Sequence, residues 1–193
     1  MRSETAEKIL KTANTLIAER GYSAFSYADI SEAVGIRKAS IHHHFPTKAG
    51  LVVAVLKEHR QRLVEGTELL DREISDPLAR IGAYMKHWEE CIRNQTMPFC
   101  VAALMAAELP ALPDEVQAEI RQHFTTLSQW LEKTLKAGVK MQVIKLQGSV
   151  ATEAQILMAV VHGAMLSARA SGAPAVFQTI TKAALKQIAV PKY

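Results

Sequence analysis

Residues 21–51 constrain the fold most, because they predict two short helices joined by a tight turn. Ser26 can cap the first helix, and Asp29 stands three positions later, where it can bond back to the cap. Gly35 then ends this helix, since glycine adopts a left-handed terminal conformation at little cost. The second helix, 37–44, is short and carries mostly basic, histidine and other polar side chains. Such a pair is typical of a helix-turn-helix whose second helix enters the DNA major groove.

Apolar residues recur at helical spacing along nearly the whole chain, and no alternating strand pattern competes, so we predict an all-α fold. A first helix, apolar at Ile9, Leu10, Ala13 and Ile17, should pack across the helix-turn-helix and complete a three-helix N-terminal domain. A helix capped by Thr47 is predicted from Lys48 to about Leu70, and another starts at Asp76-Pro77. An apolar segment runs from Pro98 to Leu109 and is ended by Pro110. Capping boxes of Asp114 with Gln117 and of Thr152 with Gln155 open helices 115–137 and 153–170, and a last helix runs from Pro174 to about Ile188. A loop containing Gly138 and Gly148 is expected between the helices 115–137 and 153–170.

The charge is mildly basic, with a net charge of +4 and a pI near 9.1. Up to Arg60 there are nine Lys and Arg against six Asp and Glu, and the remainder is nearly balanced. The excess therefore lies with the predicted helix-turn-helix, as phosphate neutralisation requires. We find no signal-peptide core, no uninterrupted apolar run of membrane-spanning length, and no disulfide or zinc spacing between Cys91 and Cys100. These features predict a cytoplasmic protein that does not enter a membrane.

The helix-turn-helix resembles that of the TetR family of bacterial transcriptional repressors, most specifically over residues 9–51. The matching residues are Gly21, Ser26, Ile30-Ser31-Glu32-Ala33-Val34-Gly35-Ile36, His42-His43-His44-Phe45 and Lys48. The remainder matches in length and all-helical layout. The resemblance implies a DNA-binding domain at 1–47 and a helical effector-binding and dimerisation domain at 48–193. It also implies a dimeric, ligand-responsive repressor that leaves a palindromic operator when an effector binds.

The resemblance assigns DNA contacts to nine residues. Base edges are assigned to Arg37, Lys38, Ala39 and His42, and phosphates to Ser26, Tyr27, Ser40, His43 and Lys48. Two of these have structural alternatives, a helix cap for Ser26 and a solvated surface lysine for Lys48. This chain departs from the family pattern around the recognition residues. The family commonly has Gly and Thr or Ser ahead of Leu-Tyr, and this chain has Ala39-Ser40 ahead of Ile41-His42. The operator sequence therefore cannot be carried over from a relative.

The second half supplies residues for an effector site. Methionine, aromatic and a few polar side chains suit a small, mostly apolar or electrophilic effector, although such a stripe is also typical of plain core. The candidates are Tyr84, His87, Trp88, Cys91, Cys100, Met105 and Phe124. Cys100 stands at the start of a predicted helix, whose N-terminus would lower the thiol pKa and favour a sensor of oxidants or electrophiles. The alternative for Cys100 is a small buried hydrophobe.

Two helices predict the dimer interface. Helix 153–170 carries a face of small residues, and helix 115–137 carries an apolar stripe. The small residues are Ala159, Gly163, Ala164, Ser167 and Ala170, and the stripe is Val116, Ile120, Phe124, Leu127 and Leu131. The alternative is that these two helices pack within one chain. Dimerisation is favoured because two recognition helices must face half-sites about one DNA turn apart.

Other functions fit the sequence less well. Consecutive residues on a helix diverge by about 100°, so His42, His43 and His44 cannot converge on one ion, and we predict neither a metal site nor a cofactor. An enzyme would use Cys100 or Cys91 with a histidine base, but no orienting acid or oxyanion loop accompanies them. A helical architectural protein would bind DNA without sequence preference or an effector.

Overall fold

The computed structural model describes residues 3–97 and 99–191, which are almost wholly helical, and the all-α prediction is confirmed. The helices of this described part are α1 Glu4–Arg20, α2 Tyr27–Val34, α3 Lys38–His44, α4 Lys48–Glu73, α5 Pro77–Arg93, α6 Val101–Ala106, α7 Asp114–Lys140, α8 Val150–Ser171 and α9 Ala175–Ile188. A 3-10 turn, Leu109–Ala111, follows α6. Within the same residues there is no strand, only an isolated bridge between Ile144 and Ala189.

The described residues form two compact units. One comprises those in 1–61 and 99–123, and the other those in 62–98 and 124–193. Helices α4 and α7 each contribute residues to both units. The predicted functional boundary between residues 47 and 48 therefore does not coincide with a break in packing, and it stays a prediction about roles.

The first unit is built around α1. Its apolar face is buried, and α1 contacts α2, α3 and α6. Buried apolar residues that the rest of the unit adds include Phe25, Ile30, Ile41, Leu51, Val52, Val55, Leu56, Val101, Ala102, Met105, Val116 and Ile120. The predicted three-helix core is thus joined by α6, which comes from much later in the chain.

Local start and stop signals place the helix-turn-helix as predicted. The Ser26 Oγ accepts a bond from the Ala28 N–H at 3.2 Å, and the Asp29 carboxylate accepts one from the Ser26 N–H at 2.7 Å. This reciprocal capping box opens α2. Gly35 ends it with φ +73°, in the left-handed region that only glycine adopts readily. Helix α3 begins at Lys38, one residue later than predicted.

Two predicted capping boxes are wrong. Helix α7 begins at Asp114 itself, and the Gln117 side-chain amide donates back to the Leu112 carbonyl oxygen at 2.8 Å instead of closing a capping box. Helix α8 begins at Val150 because Ser149 supplies the cap, accepting from the Thr152 N–H at 3.1 Å. The loop before α8 is held by Glu153, which accepts from two backbone N–H groups.

Gly138 was expected in a loop, but it lies inside α7 and is buried. A Cβ at this position would clash with the side chain of Ile144, which is itself buried. Glycine is needed here for the close approach of the following loop, and it does not end the helix. The other expected loop glycine, Gly148, does lie in the connection between α7 and α8.

The second unit packs α9 against α5 and α8. The predicted stripe of α5 is buried and comprises Ile81, Tyr84, Met85, Trp88, Cys91 and Ile92. Asp76 caps α5 and accepts from the Leu78 N–H at 2.9 Å, as predicted. Helix α8 is long and apolar enough to span a membrane on length and composition alone, a property it shares with core helices of soluble proteins. The predicted start at Pro98 lies outside the described residues, and the apolar segment after it forms the short helix α6.

Candidate nucleic-acid interface and effector region

Helix α3 presents a polar surface because a single apolar residue anchors it. Ile41 is fully buried in the core of the first unit. The predicted contact residues of this stretch are all exposed, and they are Arg37, Lys38, Ala39, Ser40, His42 and His43. The side chains of Arg37 and Lys38 have no partner within the described part of the chain. Two cationic groups are therefore available at the N-terminal end of α3.

The turn before α3 is fixed by hydrogen bonds to and from Ser31. The Ser31 carbonyl oxygen accepts from the N–H groups of Gly35 and Ile36, at 3.0 and 3.1 Å. The Ser31 hydroxyl donates to the Ile36 carbonyl oxygen at 2.6 Å. These bonds satisfy the end of α2 and set the direction in which α3 leaves the turn.

Tyr27 holds the far end of α3. Its hydroxyl donates to the Phe45 carbonyl oxygen at 2.7 Å, and its ring lies edge-on to the His42 ring at 4.7 Å between centroids. Partial burial, reinforced by the nearby Tyr22, raises the pKa of Tyr27 to about 12, so the hydroxyl keeps its proton. The predicted phosphate contact of Tyr27 thus involves a side chain that already positions the recognition helix.

Lys48 is half-buried rather than solvated. Its ammonium donates to the Phe25 carbonyl oxygen at 2.5 Å and lies 4.6 Å from the Tyr22 ring centroid and 4.3 Å from that of Phe25. Burial lowers the pKa of Lys48, and the carboxylates of Glu108 and Asp29 act in the opposite direction. The ammonium ties α4 to the loop before α2, and its phosphate contact stays a prediction.

Glu108 is a functional candidate that the sequence did not indicate. Its carboxylate accepts from the N–H groups of Tyr22 and Ser23 at 2.8 and 3.1 Å and from the Ser23 hydroxyl at 2.6 Å. Partial burial alone would raise the pKa of Glu108, but the bonds from Ser23 and Tyr22 outweigh it and the pKa lies below its usual value. Gly21 gives room for this contact, since a Cβ there would clash with the carboxylate and its φ is +81°.

The predicted effector residues are divided between the units. Those in the second unit are Tyr84, His87, Trp88, Cys91 and Phe124, and those in the first are Cys100 and Met105. The Tyr84 ring lies 5.5 Å from that of Trp130. His87 is exposed, with its Nε2 atom 3.6 Å from the Cys91 sulfur. Burial raises the pKa of the Cys91 thiol, which does not favour a reactive thiolate.

The Phe124 ring packs edge-on against His162 at 5.2 Å. The Nε2 atom of His162 is buried and has no hydrogen-bond partner among the described residues. Burial lowers the pKa of His162 to about 4, against a smaller opposing effect of the Met158 backbone. His162 is therefore neutral near pH 7 and offers a polar atom within the second unit.

Cys100 is fully buried, and the prediction of a lowered thiol pKa is wrong. Burial raises the pKa of Cys100 to about 11, outweighing the N–H groups of Ala103 and Ala102. Helix α6 has only six residues, so its N-terminal field is weak. The Cys100 sulfur lies 3.3 Å from the Nε2 atom of His59 and 3.8 Å from that of His123.

The two histidines were missed because each stands on a different helix, far from Cys100 in sequence. His59 follows Val55 and Leu56 in the buried register of α4, and His123 follows Ile120 in that of α7. A histidine at a position where the helical repeat calls for an apolar residue is the signal that could have indicated them.

Comparisons with known proteins agree with this architecture. A family model described as bacterial regulatory proteins, tetR family, matches residues 9–55, and one described as tetracyclin repressor-like, C-terminal domain, matches residues 77–184. The transcriptional repressor NemR of Escherichia coli K12 is 26% identical over 173 residues, which are 87% of this chain and 85% of NemR.

Solved structures are similar over nearly the whole chain. A TetR family regulator from Agrobacterium tumefaciens is 49% identical with a TM-score of 0.95, over 96% of this chain and 98% of that one. A TetR regulator from Legionella pneumophila is 27% identical with a TM-score of 0.87, over 97% and 98%. The chain is a DNA-binding transcriptional regulator and belongs to the TetR family.

Proposed function

We propose that this protein is a dimeric repressor that reads a palindromic operator with α3 and is released from it by a small molecule. The proposal rests on one observation: the N-terminal end of α3 is exposed and cationic, while Ile41 of the same helix is buried in the core. Arg37 and Lys38 have unoccupied donors that suit guanine O6 and N7, and the Ala39 methyl suits a thymine methyl. His42 completes the base-reading set.

The phosphate contacts are proposed for the residues around that set. Ser40 and His43 are exposed on α3, and Ser26, Tyr27 and Lys48 lie at helix N-termini. Backbone N–H groups at a helix N-terminus suit an anionic oxygen. Because Tyr27 and Lys48 also hold the helix-turn-helix together, their substitution should reduce stability as well as affinity.

We infer that the effector binds in the second unit, which holds the predicted residues Tyr84, Trp88 and Phe124. There Phe124 packs against His162, a neutral side chain with an unpartnered polar atom. A mostly apolar molecule with one hydrogen-bonding group fits that chemistry. Its binding would move α4, the helix that runs from the DNA-binding domain, and so change the separation of the two recognition helices. A coupling of about 1–3 kcal/mol is enough to change occupancy substantially.

A thiol-reactive signal is the second candidate. It would act at Cys100, whose sulfur lies 3.3 Å from a histidine nitrogen that can accept its proton. Against it stand full burial and the raised pKa of the thiol, so an electrophile would have to enter when the unit opens.

The dimer is proposed to form through α8. Its exposed face joins Ile156 and Leu166, which are 48% and 59% exposed, with small residues at Ala159, Gly163, Ser167 and Ala170. Ala164 is buried within the chain and belongs to the core instead. Val116, Ile120, Leu127 and Leu131 of the α7 stripe are buried within one chain. The predicted share of α7 in the dimer interface therefore stays a proposal for its other side chains.

Base reading is tested with Lys38→Ala, after operator sites have been selected from a random DNA pool. We expect affinity for the selected site to fall by about 1–3 kcal/mol and the preference at one or two base pairs to relax. The control is Lys86→Ala, which removes the same charge from an exposed position on α5. An equal loss on every sequence would show that Lys38 touches phosphate only.

The same binding measurements separate the competing classes. A regulator keeps a large ratio of specific to non-specific affinity as salt rises, whereas an architectural protein does not. We propose a cytoplasmic, non-enzymatic role, in keeping with relatives that are named as transcriptional regulators.

A further inference from the structure

We propose that His59, Cys100 and His123 form a binding site for one thiophilic d10 metal ion, Zn²⁺ or Cu⁺. The three side chains come from α4, from the residue before α6 and from α7, and all belong to the first unit. Their donor atoms lie within 4.8 Å of one another. No residue of this cluster takes part in the proposed reading of DNA.

The distances fit a single ion. A tetrahedral ion with a metal–sulfur bond of about 2.3 Å and a metal–nitrogen bond of about 2.0 Å places nitrogen and sulfur about 3.5 Å apart. The observed separations from the Cys100 sulfur are 3.3 Å to His59 Nε2 and 3.8 Å to His123 Nε2. The sulfur–nitrogen distances therefore already match those of a bound ion, and binding needs only rotation of the side chains.

The donor set selects the class of ion. One thiolate and two neutral imidazoles are soft and borderline ligands, which favour Zn²⁺ and Cu⁺ over Mg²⁺ and Ca²⁺. All three residues are buried, with exposures of 5%, 0% and 3%, and a net charge would be costly there unless ion and ligands neutralise each other. Cu⁺ with one thiolate is neutral and suits three ligands, whereas Zn²⁺ keeps one positive charge and a fourth position for water or an anion.

Binding is an exchange without redox chemistry. The Cys100 S–H bond breaks, its proton passes to solvent, and the sulfur lone pair forms the bond to the metal. The two imidazole rings now stack, with centroids 4.8 Å apart and planes at 27°. For both Nε2 lone pairs to point at one ion, at least one ring has to turn out of this stack.

Rotation of a histidine ring in this cluster can affect the DNA-binding surface, because α4 and α6, which carry or adjoin the cluster, also contact the N-terminal domain. His59 stands on α4, the helix that begins beside Lys48, and Cys100 opens α6, which packs on α1. Glu108, shortly after α6, bonds the loop between α1 and α2. A metal-dependent change in operator affinity is therefore expected, and this part rests on the proposed function.

The site is tested on the full-length, reduced, chelator-stripped protein by titration with Co²⁺ as a spectroscopic substitute for Zn²⁺. Competition with Zn²⁺, and a separate titration with Cu⁺ held by a chelator, identify the ion. We expect one ion per chain, a thiolate-to-cobalt charge-transfer absorption and a raised melting temperature. Cys100→Ser should abolish the absorption, and His123→Gln should weaken binding by more than the roughly 10–100-fold typical of outer-shell changes.

Cys91→Ser is the matched control, because Cys91 is also a buried thiol beside a histidine but, among the described residues, belongs to no cluster of three metal-ligating side chains. It should bind metal as the wild type does. Circular dichroism of each variant without metal shows whether it folds. Absence of both the absorption and the thermal shift in the folded wild type would overturn the proposal, as would their persistence in Cys100→Ser. Operator affinity is measured separately, so that metal binding without an effect on DNA refutes only the regulatory link.

Discussion

At the scale of single residues, Glu108 stabilises the start of the helix-turn-helix, although it lies in a turn far away in sequence. The N–H groups of Tyr22 and Ser23 lie between helices and need partners, and one carboxylate supplies both. Bonds to an ionised acceptor are stronger than neutral ones. The start of the helix-turn-helix is thus fixed by a side chain that is more than eighty positions away in sequence.

Replacing Glu108 with Gln should cost about 1–2 kcal/mol of unfolding free energy at pH 7, since the amide keeps one acceptor and turns its NH₂ group towards backbone donors. The pKa of Glu108 is lowered in the folded state, so its contribution is present above the ordinary value of 4.5 and is lost as the pH falls through the folded pKa. The difference between wild type and variant should therefore shrink in acid. Chemical denaturation at pH 7 and below pH 4 measures it.

Glu32→Gln serves as the control for this comparison, because Glu32 is exposed on α2. It should leave the unfolding free energy within about 0.5 kcal/mol of the wild type. A pH-independent difference for Glu108→Gln would show that the carboxylate acts by shape rather than by charge.

At the scale of helices and turns, the predictions that succeeded rest on signals contained in a few neighbouring residues. Ser26 with Asp29, Gly35, and Asp76 with Pro77 each form their caps from adjacent backbone, so the chemistry is complete within the sequence window. The boundary of α8 failed because Ser149 and Thr152 are both competent caps, and the chain uses the earlier one.

Gly138 failed for a different reason, because its role depends on Ile144 in the loop that follows α7. An alanine would gain about 1 kcal/mol in helix propensity but would meet the Ile144 Cβ atom at 3.0 Å, where no rotamer change gives relief. We expect Gly138→Ala to lower the unfolding free energy by about 1–2 kcal/mol net. Thermal unfolding at a fixed protein concentration measures the change.

Gly66→Ala is the matched control in α4, since none of the described atoms lies within 4 Å of the added Cβ. It should raise the unfolding free energy by roughly 0.5–1 kcal/mol. If both substitutions stabilise the protein, the loop after α7 is free to move away and the contact with Ile144 does not constrain it.

Of the candidate functional residues, those determined by their neighbours in sequence were predictable, and those brought together from distant helices were not. The polar face of α3 was predictable because Ile41 is its single buried residue and its neighbours in sequence determine the helix. The cluster of His59, Cys100 and His123 was not, because its members approach only when three separate helices pack together. The thiol pKa of Cys100 was predicted in the wrong direction because burial cannot be read from a helix start alone.

At the scale of the whole molecule, the α8 face links fold and function. Ile156 and Leu166 form with neighbouring small residues an apolar surface that is unusual for a helix face exposed to solvent. Close approach of a second helix would cover it. A palindromic operator needs two recognition helices, and this face is our candidate for the one that joins them.

If the proposed dimer forms through this face, Leu166→Glu should make the protein monomeric, because the buried carboxylate would have no partner in the interface. Leu69→Glu, at a leucine that is 47% exposed on α4, should leave the dimer intact. Sedimentation velocity distinguishes the two species. A dimer that survives Leu166→Glu would exclude this face of α8 as the interface.

The bonds from Glu108 to the loop after α1 also matter to anyone who wishes to exchange DNA specificities between such regulators. A chimaera that transplants only the first fifty or so residues leaves behind the Glu108 carboxylate and the buried α6 residues that contact α1. The graft has to carry a matching segment from 99–123 with it. In this chain the DNA-binding module is discontinuous in sequence. Two of its boundaries lie inside the long helices α4 and α7, and the third lies between α5 and α6.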